Sequence, residues 1–247
     1  MLLMRTIRLL PLLLIALGFP AWAGQRATYL QEGEPPMVVE VADNGAARVG
    51  ERGGDTYSLL LKDDIYIVSR ADGAWQSVKL ADLTAAVHDA GHSSLFDMFE
   101  EEGVPEVSAD FRIEDAGALR VAGRDGKAYR VYGMPGAIRG EAETIVVSDD
   151  AVLAPIGRAL EQYLIGMMTA SSGGADPDFA NVLSIAAIRA IFALGTPLDL
   201  SGRLKFVKVE TVEIPDSTVK HPIRPLTRAQ LVAGLKAMKA AGAAPPR

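Results

Sequence analysis

Cysteine is absent from this chain of 247 residues, and only 6% of the residues are aromatic. The absence of cysteine excludes disulfide bonds, thiolate nucleophiles and sulfur-ligated metal sites. Beyond the first 23 residues, no apolar run reaches the length of about 20 residues that crosses a bilayer. We therefore expect a folded domain that is stabilised by ordinary apolar burial and is not an integral membrane protein.

Clusters of basic residues are missing as well. The chain has 25 Lys and Arg against 31 Asp and Glu, which gives a formal net charge of −6. Because nucleic acids are held by clustered Lys and Arg, we expect no nucleic-acid partner. The chain also lacks a phosphate-binding glycine loop and a dinucleotide fingerprint, and we therefore expect no cofactor.

Residues 1–23 have the three parts of a secretory signal peptide. Arg5 and Arg8 form a basic start, residues 9–19 are almost wholly apolar, and Ala21-Trp22-Ala23 places small residues where signal peptidase needs them. The apolar run is too short for a retained membrane anchor. We expect cleavage before Gly24, which removes two arginines and takes the net charge to −8, and we expect a periplasmic or secreted protein.

The first half of the mature chain has the pattern of a β-meander. Short runs rich in Val, Ile, Leu and Tyr alternate with turn residues such as Asp43-Asn44-Gly45, and strands joined by such tight turns pair antiparallel. The predicted strands are residues 27–31, 37–41, 46–51, 57–61, 65–69 and 76–80. A second group is predicted at 111–114, 119–122, 128–132 and 144–147, with turns at 115–117 and 124–126.

Helical periodicity appears in four places. Helices are predicted over residues 83–101 with Asp82 as the cap, over 149–168, from 176 to 194 with Gly195 as the stop, and after a capping box formed by Thr227 and Gln230. Two further strands, 198–200 and 204–214, lie between the last two helices. The pattern predicts one α+β domain over residues 24–240 and a disordered tail over 241–247.

Several short motifs carry a family resemblance. Val121-Ala122-Gly123, Tyr129-Arg130-Val131, Gly195-Thr196-Pro197-Leu198 and Ile214-Pro215, set in this order of elements, resemble a group of uncharacterised bacterial envelope proteins. That group is similar to the periplasmic lipoprotein carriers, the LolA-like half-barrel superfamily. The resemblance implies a curved antiparallel sheet, a half-open barrel, with helices packed on its concave face.

The helices carry more apolar surface than one face of each needs. Methionine-rich apolar surfaces adapt to flexible ligands, although such residues also fill ordinary cores. The leading hypothesis is a carrier-like protein that binds a lipid or acyl chain, and the alternative is an envelope protein that docks a protein partner. The predicted lining consists of Met134, Ile138, Leu164, Met167, Met168, Ile188, Ile191 and Phe192.

Catalytic and metal-binding motifs are scarce. His88 and His92 stand four residues apart, so they share one face of a helix and are weak candidates for a metal site or a hydrolase centre. No third ligand follows from the spacing, and no nucleophile elbow is present. His221 precedes Pro222, which indicates an exposed loop. We therefore expect a binding protein and not an enzyme.

Overall fold

A computed structural model of the chain describes residues 23–71, 73–91, 111–134, 140–171 and 179–242. These residues form a curved, unclosed antiparallel sheet of 11 strands together with four α-helices. The structure thus confirms the α+β class and the large open sheet. No helix within the described ranges is long and apolar enough to cross a membrane.

The strands follow the chain in a simple order. In sequence they are β1 (Ala23–Gln31), β2 (Glu34–Val41), β3 (Ala47–Glu51), β4 (Thr56–Leu61), β5 (Asp64–Ala71), β6 (Ala74–Lys79), β7 (Arg112–Val121), β8 (Arg124–Tyr132), β9 (Ala142–Ser148), β10 (Thr196–Leu200) and β11 (Leu204–Glu213). Across the sheet the order is β6-β5-β4-β3-β2-β1-β11-β10-β9-β8-β7. Pairing of β1 with β11 therefore joins two meanders, and β6 and β7 are the edges.

The first meander is as predicted, because β1 to β6 pair consecutively and antiparallel. The second group differs. The segment Asp115-Ala116-Gly117 does not form a turn but a β-bulge inside the continuous strand β7. The carboxylate of Asp115 accepts a hydrogen bond from the Gly117 N–H at 2.7 Å, and Gly117 has φ +95°. A bulge needs the same glycine conformation as a tight turn, which explains the wrong prediction.

The helices are α1 (Leu80–Asp89), α2 (Ala154–Ser171), α3 (Phe179–Leu194) and α4 (Arg228–Gly242). Helix α1 begins three residues before the predicted start. Asp82 therefore lies in its first turn, where a carboxylate interacts favourably with the helix dipole. Helix α1 ends at Asp89, shortly before Gly91 with φ +84°, so it is shorter than predicted; residues 92–101 of the predicted helix fall outside the described residues. The capping box before α4 is confirmed, because the Gln230 side chain accepts a bond from the Thr227 N–H at 2.9 Å.

The main apolar cluster lies between α2 and one face of the sheet, which we call the first face. Ala27 and Val39 mark this face on β1 and β2, and both are fully buried. Helix α2 contributes Ile156 and Leu160 to the same cluster and contacts β1, β2, β3, β4 and β10. Burial of such side chains contributes about 2 kcal/mol each. This helix is therefore the central support of the sheet.

The opposite side of the sheet, which we call the second face, is crossed by the chain after β11. Tyr66 on β5 and Ser77 on β6 mark this face. The ring of His221 meets the Tyr66 ring edge-on at 4.2 Å, and its Nδ1 lies 3.1 Å from the Ser77 hydroxyl. The Leu226 N–H then bonds the Ser77 carbonyl at 2.8 Å. This crossing delivers α4 to α1, against which Leu231 and Leu235 pack.

Candidate ligand-binding groove

An open groove of about 610 Å³ lies between α1 and the C-terminal half of α2. One wall is a single face of α1, formed by Leu80, Ala81, Thr84 and Ala85 and continued by the last turn of the helix. These positions follow the three- and four-residue spacing of one helical face. The ten residues of α1 make the wall about 15 Å long. The opposite face of α1 packs on α4. Helix α4 therefore does not cover the face of α1 that lines the groove.

The second wall of the groove is built from small residues of α2. Gly166, Thr169 and Ala170 line the groove at helical spacing, and Ile65 from β5 lies with them. A side chain at Gly166 would collide with the Cδ1 atom of Ile65. Helix α2 therefore approaches β5 closely at Gly166, while the small side chains on both walls leave space between the two helices.

An ion pair stands at each end of α1. At its start, the Lys79 ammonium lies 2.7 Å from the Asp64 carboxylate, with Asp63 beside them on the rim. At its end, the Arg228 guanidinium lies 2.7 Å from the Asp89 carboxylate. Both pairs line the groove and are partly exposed. The groove thus has an apolar middle and two polar ends, which is the arrangement that an amphipathic ligand needs.

The pKa values of Lys79 and of Tyr66, its partner across the sheet, are both raised. The hydrogen bond to Asp64 raises the pKa of Lys79, and burial together with the negative charge of Asp64 raises the pKa of Tyr66. The Tyr66 hydroxyl lies 3.4 Å from Asp64. At neutral pH Lys79 at this end of the groove is therefore charged, and the neighbouring Tyr66, which is not part of the groove lining, is neutral.

The residues predicted to line a ligand cavity occupy other places. Met134 and Ile191 are buried in the main apolar cluster, and Met167 and Phe192 pack against it. The seven that the structure describes do not line the groove. Leu164, Met168 and Ile188 have intermediate exposure. Ile138 lies outside the described residues. The sequence pattern found the large core residues, whereas the groove is made by small ones.

Of the two weak metal candidates, His88 lies on the groove wall and is exposed, whereas His92 falls outside the described residues. Within the ranges that are described, no group of three or more His, Asp or Glu side chains could hold a metal ion. The groove lining at this end also includes Asp89 and Arg228. His88 therefore lies at the end of the groove that is next to α4.

His221 lies in a loop, as predicted, but the prediction that it is exposed is wrong. Its contacts with Tyr66 and Ser77 leave it half-buried, and this burial lowers its pKa below the usual value. A histidine whose folded-state pKa is lowered stabilises the fold above its ordinary pKa of about 6.5, and this stabilisation is lost as the pH falls through the folded-state value.

We expect the variant His221→Gln to unfold at lower urea concentration at pH 7, by about 1 kcal/mol, because it loses a buried contact with Ser77. At acidic pH the difference between the variant and the parent should shrink, because the protonated histidine itself is disfavoured in the fold. The control is His88→Gln at an exposed position, which should leave the stability at pH 7 close to that of the parent. A constant difference at all pH values would contradict this account.

Comparison with known proteins does not establish a family for this chain. No known family and no curated protein matches the chain. A solved structure titled "Crystal structure of MucB" aligns with it at 16% sequence identity and a TM-score of 0.27, over 81% of this chain and 56% of that one. The chain therefore spans only about half of the length of MucB.

Proposed function

We propose that the protein is an exported envelope protein that binds an amphipathic small molecule with an acyl chain in the groove between α1 and α2. The observation that carries this proposal is the groove itself. Its volume of about 610 Å³ lies within the range of roughly 300–1,000 Å³ that small-molecule sites occupy. The signal-peptide pattern of residues 1–23 supports export, and the carrier-like arrangement would place the helices in the concave face of the sheet.

The apolar middle of the groove suits an alkyl chain. Ile65 and Leu80 are themselves nearly buried, at 8% and 4% exposure, and form its deepest apolar contacts. Ala81, Ala85 and Ala170 add apolar surface without filling the space. Transfer of each methylene of a ligand from water into such a site contributes about 0.8 kcal/mol. A chain that follows the length of α1 therefore has enough favourable contact for binding, and no reacting group is required.

The test is a titration of the delipidated protein with a fluorescent fatty acid, followed by displacement with dodecanoate. We expect saturable binding in the parent protein. In Ala85→Trp the indole ring occupies the groove, and we expect affinity to fall at least tenfold, about 1.4 kcal/mol. The matched control is Ala186→Trp on the exposed side of α3, which does not line the groove and should bind as the parent does.

Two outcomes would contradict the proposal. The first is an absence of saturable binding in the parent, and the second is unchanged binding in Ala85→Trp with its fold intact. Unchanged binding in Ala85→Trp would place the ligand outside this groove, whereas an absence of binding in the parent would favour the alternative, an envelope protein that docks a protein partner. The edge strand β7 would then be the surface to test, because the residues from Glu114 to Arg120 are all exposed.

A further inference from the structure

The two ends of the groove differ in charge. The end near the start of α1 has Asp63 and Asp64 against Lys79, and therefore one more negative charge than positive. At the other end Asp89 faces Arg228, and the Lys239 ammonium lies beside Gly91, just beyond the last turn of α1. Among the described residues, that end therefore has one more positive charge than negative.

Helix dipoles do not reverse this difference. A helix terminus carries about half an elementary charge, positive at the N-terminus and negative at the C-terminus. The start of α1 therefore offsets only part of the negative excess at the first end. At the second end the C-terminus of α1 and the N-terminus of α4 lie together and largely cancel each other. The second end remains the more positive one.

The geometry of Arg228 leaves part of its guanidinium available. Its Nε donates to Asp89 Oδ2 at 2.8 Å, and its Nη2 lies 2.7 Å from the same oxygen. In the described part of the chain, Asp89 is the acceptor that Arg228 contacts, and the Arg228 side chain is 51% exposed. A guanidinium has five N–H donors in a planar fork, which matches the oxygens of a carboxylate or phosphate.

We infer that the ligand of the groove carries an anionic head group, a carboxylate or a phosphate monoester, and that Arg228 binds this group at the α4 end. The inference rests on the proposed function, because it assumes that an alkyl chain lies in the groove. The alkyl chain then runs along α1 toward Leu80 and Ile65. Lys239 contributes positive charge nearby, and Asp89 acts against the ligand by competing for Arg228.

The test uses ligands that share a dodecyl chain and differ in the head group: dodecyl phosphate, dodecanoate, dodecanol and dodecyltrimethylammonium. We expect the two anions to bind about tenfold more tightly than dodecanol, since a hydrogen bond to a charged group is worth about 1.5 kcal/mol or more. Arg228→Gln should remove this preference and leave dodecanol binding unchanged. Asp89→Asn should strengthen binding of the anions.

Lys79→Gln is the matched control, because it removes a groove cation from the opposite end, and the preference for anions should survive. Partly exposed ion pairs contribute little to stability, so that all three variants should fold, which thermal unfolding verifies. Inorganic phosphate alone should show no saturable binding. Equal binding of anions and dodecanol, or loss of the preference in Lys79→Gln alone, would overturn the inference while the proposed function stands. Failure of every dodecyl compound to bind would overturn both.

Discussion

Replacement of Glu40 by alanine is expected to destabilise the protein by about 3 kcal/mol, measured as the free energy of unfolding in urea. Glu40 lies on β2, on the second face, and is only 4% exposed. Its neighbours across the sheet are Arg26 on β1 and Arg48 on β3, which are its direct register partners. Its carboxylate lies 2.7 Å from Arg26 and 3.3 Å from Arg48.

The size of this effect follows from what remains after the substitution. Arg26 and Arg48 have side chains that are only 19% and 16% exposed, so that neither recovers full hydration when the carboxylate is lost. Two like charges would then face each other across β2, and the carboxylate left near Arg26 would be that of its β11 register partner Glu210. Arg48 keeps its contact with the Tyr57 ring, at 4.3 Å, which compensates only in part. Removal of one member of a buried ionic group costs more than the group contributes as a whole.

Two controls make this expectation specific. Glu34→Ala, at an exposed position of the same strand, should change stability by less than about 0.5 kcal/mol. The triple variant Arg26→Met, Glu40→Met, Arg48→Met should recover most of the loss, because apolar groups of similar volume replace buried ion pairs at little cost. A loss below about 1 kcal/mol in Glu40→Ala would show that solvent screens the three charges.

Local signals in the sequence predicted the local structure well. The tight turns between β1 and β6 determine which strands are neighbours, because a hairpin leaves only one antiparallel partner within reach. The sequence likewise predicted the capping box of Thr227 and Gln230 and the end of α3 before Gly195. Each of these features depends on residues that are close in sequence. Pairing of β1 with β11 brings together residues that are far apart in the chain. No local pattern contains that information.

Irregularities of the sheet explain where the predicted alternation failed. The sequence of β11 predicts that Phe206 and Val209 lie on opposite faces. In the structure Phe206 is buried in the main cluster, Val209 packs against the same cluster, and Val207 between them is 38% exposed. A register shift in the pairing of β11 with Thr28 and Tyr29 of β1 changes the alternation at this point. A bulge inserts one residue and so reverses the face of every side chain that follows.

The groove was hidden from the sequence for a different reason. Periodicity arguments identify large apolar side chains, such as Ile191, which is fully buried and fills the core. Space between two helices is created by small side chains, here Ala85 and Gly166, and these have no strong signal in a hydrophobicity pattern. His88 was singled out for its spacing from another histidine, and it does lie on the groove wall. Arg228 of α4 lines the same end of the groove. The sequence alone does not show against which element α4 packs.

Replacement of Gly195 by alanine is expected to cost about 3 kcal/mol or more, because two penalties act together at the junction of α3 and β10. Gly195 has φ +145°, a conformation that residues with a Cβ atom rarely adopt. A Cβ atom there would also lie 2.5 Å from the carbonyl oxygen of Ser148, at the end of β9. Because that oxygen belongs to the backbone, it cannot move aside without disturbing the pairing of β9 with β10.

The two penalties at Gly195 can be separated by a second glycine. Gly202, in the turn between β10 and β11, also has a positive φ, +78°, but a Cβ atom there would meet nothing within 4 Å. Gly202→Ala should therefore lose only the conformational term, about 1 kcal/mol. Urea unfolding of both variants measures the difference, which combines the close approach at Ser148 with the more restricted φ of Gly195. Equal losses in the two variants would show that the junction of α3 and β10 moves to accommodate the Cβ atom. The close approach of Gly195 to Ser148 would then contribute nothing to the loss.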